Sequence, residues 1–259
     1  MALPYEPGFL YAFTALLGAC FGSFSNVLIH RLPRNLSVVR PRSACPSCGR
    51  AIAWHENIPV LSWLLLRARC RGCAAPIASR YVLVELAGAA CALIGVWRFG
   101  FTFAGLSASL LLLLLLDIAL IDWEHMIIPH TLTIAGIVIG LGGSFLDGRD
   151  PAAAFLGAAV GAGSILAVSW GYRLVRGVIG MGGGDVMLMG MVGAFLGPWG
   201  VLGTLFGGAV LGTVYALAST RGRLQAGAKL PFGTFLAAAA AVVLLFGRPI
   251  AGWYLGLAG

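Results

Sequence analysis

The sequence predicts an all-α protein, a polytopic transmembrane helical bundle of about eight helices with one small polar loop domain between the first two. Two observations predict it. Of the 259 residues, 59% are hydrophobic and only 10% charged, a balance with which a water-soluble domain could not cover its surface. Apolar runs of about 20 residues, long enough to cross a hydrocarbon core as helix, recur along most of the chain, with the exception of the stretch from His30 to Arg80.

In order, the predicted spans are 9–29, 81–97, 101–121, 127–146, 153–175, 186–198, 201–220 and 233–254. The first lacks a basic leading region and outruns a signal-peptide core, so it reads as a permanent helix. Small residues in the fifth, Ala154, Gly157, Gly161 and Gly163, let helix backbones approach closely, a packing feature without functional content. The sixth, 186–198, underfills a bilayer and is expected to start in a re-entrant glycine loop or to be shielded by neighbouring helices. The chain thus reads as a first transmembrane helix (1–29), a loop domain (30–80) and a transmembrane bundle (81–259).

With the amino terminus outside, the inside segments hold nine basic residues between Arg31 and Arg80, two at Arg173 and Arg176, and three at Arg221, Arg223 and Lys229. Of the 17 Lys and Arg, only Arg98, Arg149 and Arg248 then lie outside. The basic face, and with it the loop domain, is therefore cytosolic by the positive-inside rule. The net charge of +8 suits anionic lipid headgroups. It follows the loops without an interleaved aromatic stacking surface, which argues against nucleic acid as a partner.

The loop carries Cys45-Pro46-Ser47-Cys48 and Cys70-Arg71-Gly72-Cys73, two CxxC pairs separated by the 21 residues from Gly49 to Arg69. Each CxxC turn puts two thiolates on one side of a knuckle, and two knuckles complete a tetrahedral sulfur shell suited to Zn²⁺. Four protein ligands leave no position for water, so the metal is expected to be structural, its binding coupled to folding of the loop. Two disulfides or free thiols are the rival reading, and a reducing cytosol disfavours stable disulfides. Cys20 and Cys91 fall within spans and read as packing residues. His30, His55, His125 and His130 show no paired metal spacing such as HExxH.

Of nine acids, Glu6, Glu56, Asp147 and Asp150 fall in aqueous segments, where a carboxylate costs little. Glu85, Asp117, Asp122, Glu124 and Asp185 lie within or at the ends of spans, where ionisable groups are expensive and by default functional. Asp122 ends the third span and Asp185, after Gly182-Gly183-Gly184, begins the sixth, both at the cytosolic edge. Helix packing can then bring together two carboxylates distant in sequence. Such a pair shares a proton, one member acting as base towards a water and the other as acid. The plainer reading of Asp185 is a helix cap, and that of Asp122 an interfacial acid meeting loop arginines. Glu85 is expected to pair with Arg80 or another basic residue, and Asp117 remains a rival deeper in the membrane. The glycine run follows no strand and does not complete a GxGxxG fingerprint.

These residues resemble the type IV prepilin peptidase family of membrane aspartic proteases. Gly182-Gly183-Gly184-Asp185 is similar to its GxGD motif, and Asp122 with Ile128-Pro129 to its other aspartate motif. Gly22-Ser23-Phe24-Ser25-Asn26-Val27 through Arg31-Leu32-Pro33 resembles its amino-terminal signature. The CxxC pairs, Asn57 to Trp63, Arg80-Tyr81 with Val84-Glu85-Leu86, and Pro231-Phe232-Gly233 follow in the family's order. Ser25, His30, His130, Met187 and Thr234 stand where Leu, Tyr, Asp, Lys and Pro are common.

The resemblance implies a bacterial inner-membrane enzyme with catalytic Asp122 and Asp185. It implies removal of a short basic leader from prepilins or type II secretion pseudopilins after a glycine, on the cytosolic side. Methylation of the new amino terminus by S-adenosylmethionine is implied too, with residues 30–80 as the methyltransferase part. Two other readings stand beside it: a peptidase that does not methylate, and a proton- or ion-coupled transporter using Asp117, Asp122 and Asp185 as a carboxylate relay.

Overall fold

Runs of Leu, Ala, Val and Ile bounded by Pro, Gly and capping residues become helices wherever the chain is apolar. The computed structural model describes residues 7–177, 181–219 and 230–257. It divides into two units, Met1–Gly100 and Phe101–Gly259. Among the described residues there are eight α-helices and no strand. Arg221, Arg223 and Lys229, assigned above to the cytosolic face, lie outside the described residues, as do Glu6 and Gly180.

In the first unit, α1 (Pro7–Arg31) packs along α3 (Ser79–Phe99), and the amide of Asn26 donates to the Tyr81 carbonyl at 3.1 Å. Between them lie 3₁₀ turns at Leu32–Arg34 and Trp54–Glu56 and the five-residue α2 (Leu61–Leu65). Glu85, expected to meet a basic side chain, accepts the Val60 N–H at 2.7 Å from its buried position on α3. Val60 has φ 62°, an outlying conformation for a β-branched residue, and this bond fixes it at the start of α2.

The second unit contains α4 (Phe103–His125), α5 (His130–Gly143), α6 (Pro151–Arg176), α7 (Gly183–Ser219) and α8 (Phe232–Leu257). The Thr102 hydroxyl caps α4, and Asp150 with Pro151 starts α6. Met126, with φ 53°, ends α4 by donating its N–H to the Asp122 carbonyl. The expected spans 186–198 and 201–220 are two arms of α7, joined at Gly197 (φ 67°, ψ −176°) ahead of Pro198. The first arm packs on α6 so tightly that a Cβ on Gly193 would run into the Gly157 carbonyl. The second packs on α8 through Gly203 against Val243 and Gly208 against Leu236.

The break at Gly197 frees carbonyls, and Arg149 collects them. Its guanidinium donates to the Ala194 and Phe195 carbonyls at 2.8 and 2.7 Å and to the Gly140 carbonyl at 3.0 Å, and pairs with buried Asp147 at 2.7 Å. Counting α7 as two arms, the seven long helices match the eight apolar runs of the sequence. Among the described residues five helices, α1, α3, α4, α6 and α7, are long and apolar enough to cross a membrane, and α5 and the Phe232–Gly247 part of α8 are shorter apolar helices. The chain is a multi-pass membrane protein.

Candidate active site and metal centre

Asp122 lies in the last turn of α4 and is only 4% exposed. The first turn of α8 holds its carboxylate: Oδ2 accepts the Thr234 N–H at 2.8 Å and sits 3.2 Å from the Thr234 hydroxyl. That approach requires glycine next door, because a Cβ on Gly233 would stand 3.0 Å from Oδ2 and 2.6 Å from Ile128 Cδ1. The α8 amides face the carboxylate because a helix N-terminus has no carbonyls of its own to bond them. Trp123 packs edge-on against Tyr215, which contacts Phe235, so aromatic rings join α4, the second arm of α7 and α8 beside the site.

Asp185 occupies the third position of α7 and is partly buried. Its Oδ2 accepts the Gly182 N–H at 3.1 Å, while its own N–H donates to the Gly182 carbonyl at 3.2 Å. The capping role anticipated for it is therefore present, exercised from inside the helix rather than from the residue before it.

Ile128, in the turn between α4 and α5, joins the two aspartate positions. Its Cβ lies 2.8 Å from where a Gly184 side chain would begin, and its Cδ1 reaches the corresponding point of Gly233. Asp122 and Asp185 stand at one end of this unit, within electrostatic reach of each other. Among the described residues no hydrogen bond joins the two carboxylates directly; a carboxyl pair of this kind shares a proton and polarises a water when both reach the same water molecule. Asp117, on α4, is buried at 5% exposure more than a turn further along the helix. Glu124 stays at the end of α4, 3.9 Å from His125. Sequence reasoning passed over Ile128 as a partner and treated Thr234 as a departure from a pattern; a hydroxyl residue in the first turn of an apolar helix was the available signal.

The four loop sulfurs form one cluster, all within 4.8 Å of one another, with Cys45 and Cys73 3.8 Å apart. A tetrahedral Zn²⁺ with bonds of about 2.3 Å implies sulfur separations of about 3.8 Å, whereas a disulfide requires about 2.05 Å. The donor set fits a metal ion such as zinc. Both knuckles have the same backbone: Cys45 N–H to Arg50 carbonyl at 2.9 Å and Gly49 N–H to Cys45 carbonyl at 2.9 Å, repeated as Cys70 to Ala75 at 2.8 Å and Ala74 to Cys70 at 2.9 Å.

The backbone N–H groups of Cys48 and Ser47 pull the Cys45 thiol down to about 6. At Cys73 the Ala75 N–H acts in the same direction, but burial and the neighbouring thiols outweigh it and push the group up to about 11. Four sulfurs this close share protons, which a cation would displace. Glu56 clasps both knuckles, meeting Arg50 at 2.9 Å and Arg71 at 3.6 Å.

Comparison with known proteins finds the bacterial peptidase A24 N-terminal domain over residues 16–99 and the type IV leader peptidase family over residues 109–217. A protein of Myxococcus xanthus named prepilin leader peptidase/N-methyltransferase is 44% identical, over 85% of this chain and 68% of its own length. Proteins of the same name from Burkholderia pseudomallei and Pseudomonas aeruginosa are 40% and 37% identical, over 100% and 95% of this chain and 91% and 93% of their own. No solved structure matches the chain.

Proposed function

Because this chain belongs to the type IV leader peptidase family, we propose that it removes the short basic leader of prepilins or pseudopilins and methylates the amino terminus so exposed. The observation that carries the peptidase reading is that Ile128 packs both against Gly184, next to Asp185, and against Gly233, beside Asp122, with each carboxylate accepting a backbone N–H at a helix start. In this reading one carboxylate takes a proton from water as its oxygen attacks the carbonyl carbon of the scissile bond. The other, carrying the shared proton, steadies the developing oxyanion. Proton delivery to the leaving amine then breaks the C–N bond, with no covalent acyl-enzyme.

The positive-inside pattern supports placing this end of the bundle at the cytosolic face of the inner membrane, the side that holds the basic leader preceding a prepilin's hydrophobic helix. The methyl donor, S-adenosylmethionine, is a co-substrate of the second activity. Cys45, Cys48, Cys70 and Cys73 would hold a structural Zn²⁺, which supplies a cross-link between the two knuckles.

The experiment is cleavage of a prepilin by protein purified in detergent, without any ion gradient. Asp122→Asn and Asp185→Asn should each abolish cleavage, and Asp117→Asn should retain it. Cleavage by either of the first two would defeat the assignment. Mass spectrometry of the processed terminus, with labelled methyl donor present, tests the second activity; an unmethylated product from well-folded enzyme would remove it.

A further inference from the structure

The first turn of α8 presents a group that the mechanism above does not use. The Thr234 hydroxyl lies 3.2 Å from Asp122 Oδ2 and 3.0 Å from the Ala119 carbonyl oxygen, while the Thr234 N–H donates to the same Oδ2. The hydroxyl has one proton to give and two acceptors in reach. With Asp122 ionised, that proton turns to Oδ2, and a bond to a charged oxygen is the stronger choice. With a proton on Oδ2, the carboxyl donates to the hydroxyl oxygen, and the hydroxyl gives its own proton to Ala119. Rotation about one C–O bond therefore satisfies both states.

We propose that Thr234 is a positioning residue for peptide cleavage, its hydroxyl switching between Ala119 and Asp122 as Asp122 gains and loses the proton that hydrolysis moves. The proposal rests on the reading of Asp122 as one of the catalytic pair. The proton balance is that of hydrolysis itself. A water proton reaches the carboxylate pair as the C–O bond forms, a proton leaves it for the amine as the C–N bond breaks, and Thr234 ends each cycle with the proton it began with. The backbone N–H keeps Oδ2 in place throughout.

On the elements around the end of α4, the other titratable groups are Asp185 and Tyr215 on α7, the latter with its ring against Trp123 and Phe235, and His130 on α5. α4 itself carries Asp117, Glu124 and His125, and α8 has none before Arg248. Among the described residues none of these hydrogen-bonds to the Asp122 carboxylate, whose partner is Thr234.

The test uses full-length Thr234→Val, Thr234→Ala and Thr234→Ser protein in detergent, assayed on a peptide with a basic leader, a Gly-Phe junction and an apolar tail. Val keeps the branched shape and the backbone donor but loses the hydroxyl. It should lower kcat about tenfold, the worth of exchanging one charge-assisted hydrogen bond for none, with KM within about twofold. The acid limb of its kcat/KM profile should move up by about 0.5–1 pH unit, because a donor to the charged carboxylate is gone. Ala should match Val, and Ser should restore both rate and profile.

A Val enzyme with wild-type kcat and profile would overturn the switch, and so would a Ser enzyme as impaired as Val. Should Val fail to fold, Ser against Ala decides: a difference in the acid limb supports the switch, and identical profiles overturn it. Cleavage by Asp122→Asn would instead sink the catalytic reading beneath it. An inactive Asp122→Asn beside an unaltered Thr234→Val would remove the switch alone.

Discussion

The loop between α1 and α3 and the bundle of α4 to α8 hold their polar groups by opposite means. Between Leu32 and Ala78 only Cys45 and Ser62 are buried, so almost no apolar surface is available to fold that segment. In the bundle, Leu111, Ile118, Ile121, Leu188, Met189 and Leu236 are 0% exposed, and the aspartates stand at the rim of a packed interior. The difference teaches where each region is vulnerable: the loop through its four sulfurs, the bundle through its packing and its buried polar bonds. Four perturbations should pull the two apart.

Removing the metal proposed for the four sulfurs should have the largest effect, since structural zinc sites contribute about 10–16 kcal/mol of apparent binding energy that is also folding energy. A strong chelator, or Cys48→Ser, should bring metal content to near zero and open the loop to proteolysis between Ser43 and Ile77. Methylation should be lost and cleavage of a prepilin should fall only a few-fold. Mapping of proteolytic fragments beside the two activity assays checks this, and equal loss of both activities would erase the contrast.

Asp185→Asn should act on the bundle alone. Loss of an acid–base carboxylate costs about 10²- to 10⁴-fold in rate, whereas Asn still offers an oxygen to the Gly182 N–H at the start of α7. Metal content and melting temperature should therefore stay at wild-type values while kcat collapses. A variant that has lost its thermal transition would indicate that Asp185 serves the fold.

These two outcomes bear on what the sequence could disclose. Spans were legible because lipid forces every backbone group into helix, so an apolar run has one available structure. The short run 186–198 was legible too, its end set by Gly197 and Pro198. The sulfur cluster followed from spacing alone, since two knuckles suffice to define it. Contacts that bridge distant segments were not legible. Thr234 reaches Asp122 across 112 positions, and nothing local to either residue records that. Charge counting placed Arg149 in an outside loop, yet its guanidinium is turned inward onto carbonyls that a helix break sets free. Glu85 met a backbone N–H of strained Val60 where a basic side chain was expected, because backbone strain leaves no mark in residue pattern.

Arg149→Met tests the bundle's polar bonds directly. It strands the Ala194 and Phe195 carbonyls, leaves the Gly140 carbonyl with the Ser144 N–H alone, and deprives buried Asp147 of its cation. Breaking a buried pair costs about 3–5 kcal/mol, and the partial exposure of the arginine brings the expectation to about 3 kcal/mol. At about 2–4 °C per kcal/mol for a chain of this size, the melting temperature in detergent should drop by roughly 6–12 °C. The metal content of the loop should not change. A drop below about 2 °C would mean that water or neighbouring groups replace the guanidinium without penalty.

The smallest effect belongs to Glu56, the carboxylate that clasps Arg50 and Arg71 from the two knuckles. The Arg50 side chain beside it holds its carboxyl below the usual range. A carboxylate with a lowered folded value stabilises the loop fully above the ordinary value of about 4.3, and loses that contribution as pH falls through the lowered one. Glu56→Gln imitates the protonated form at every pH. At pH 7 the variant should therefore exchange the Ala53 amide hydrogen faster than wild type, since that N–H donates to Glu56 Oε2 at 3.3 Å. Once the pH has fallen below the lowered carboxyl range the two proteins should converge, as the wild-type group takes up its own proton. Solvent-facing arginines limit the pair to a weak contribution, so the gap should also shrink in high salt. A gap that widens in acid would reverse the sign and show that Glu56 is better bonded as the neutral acid.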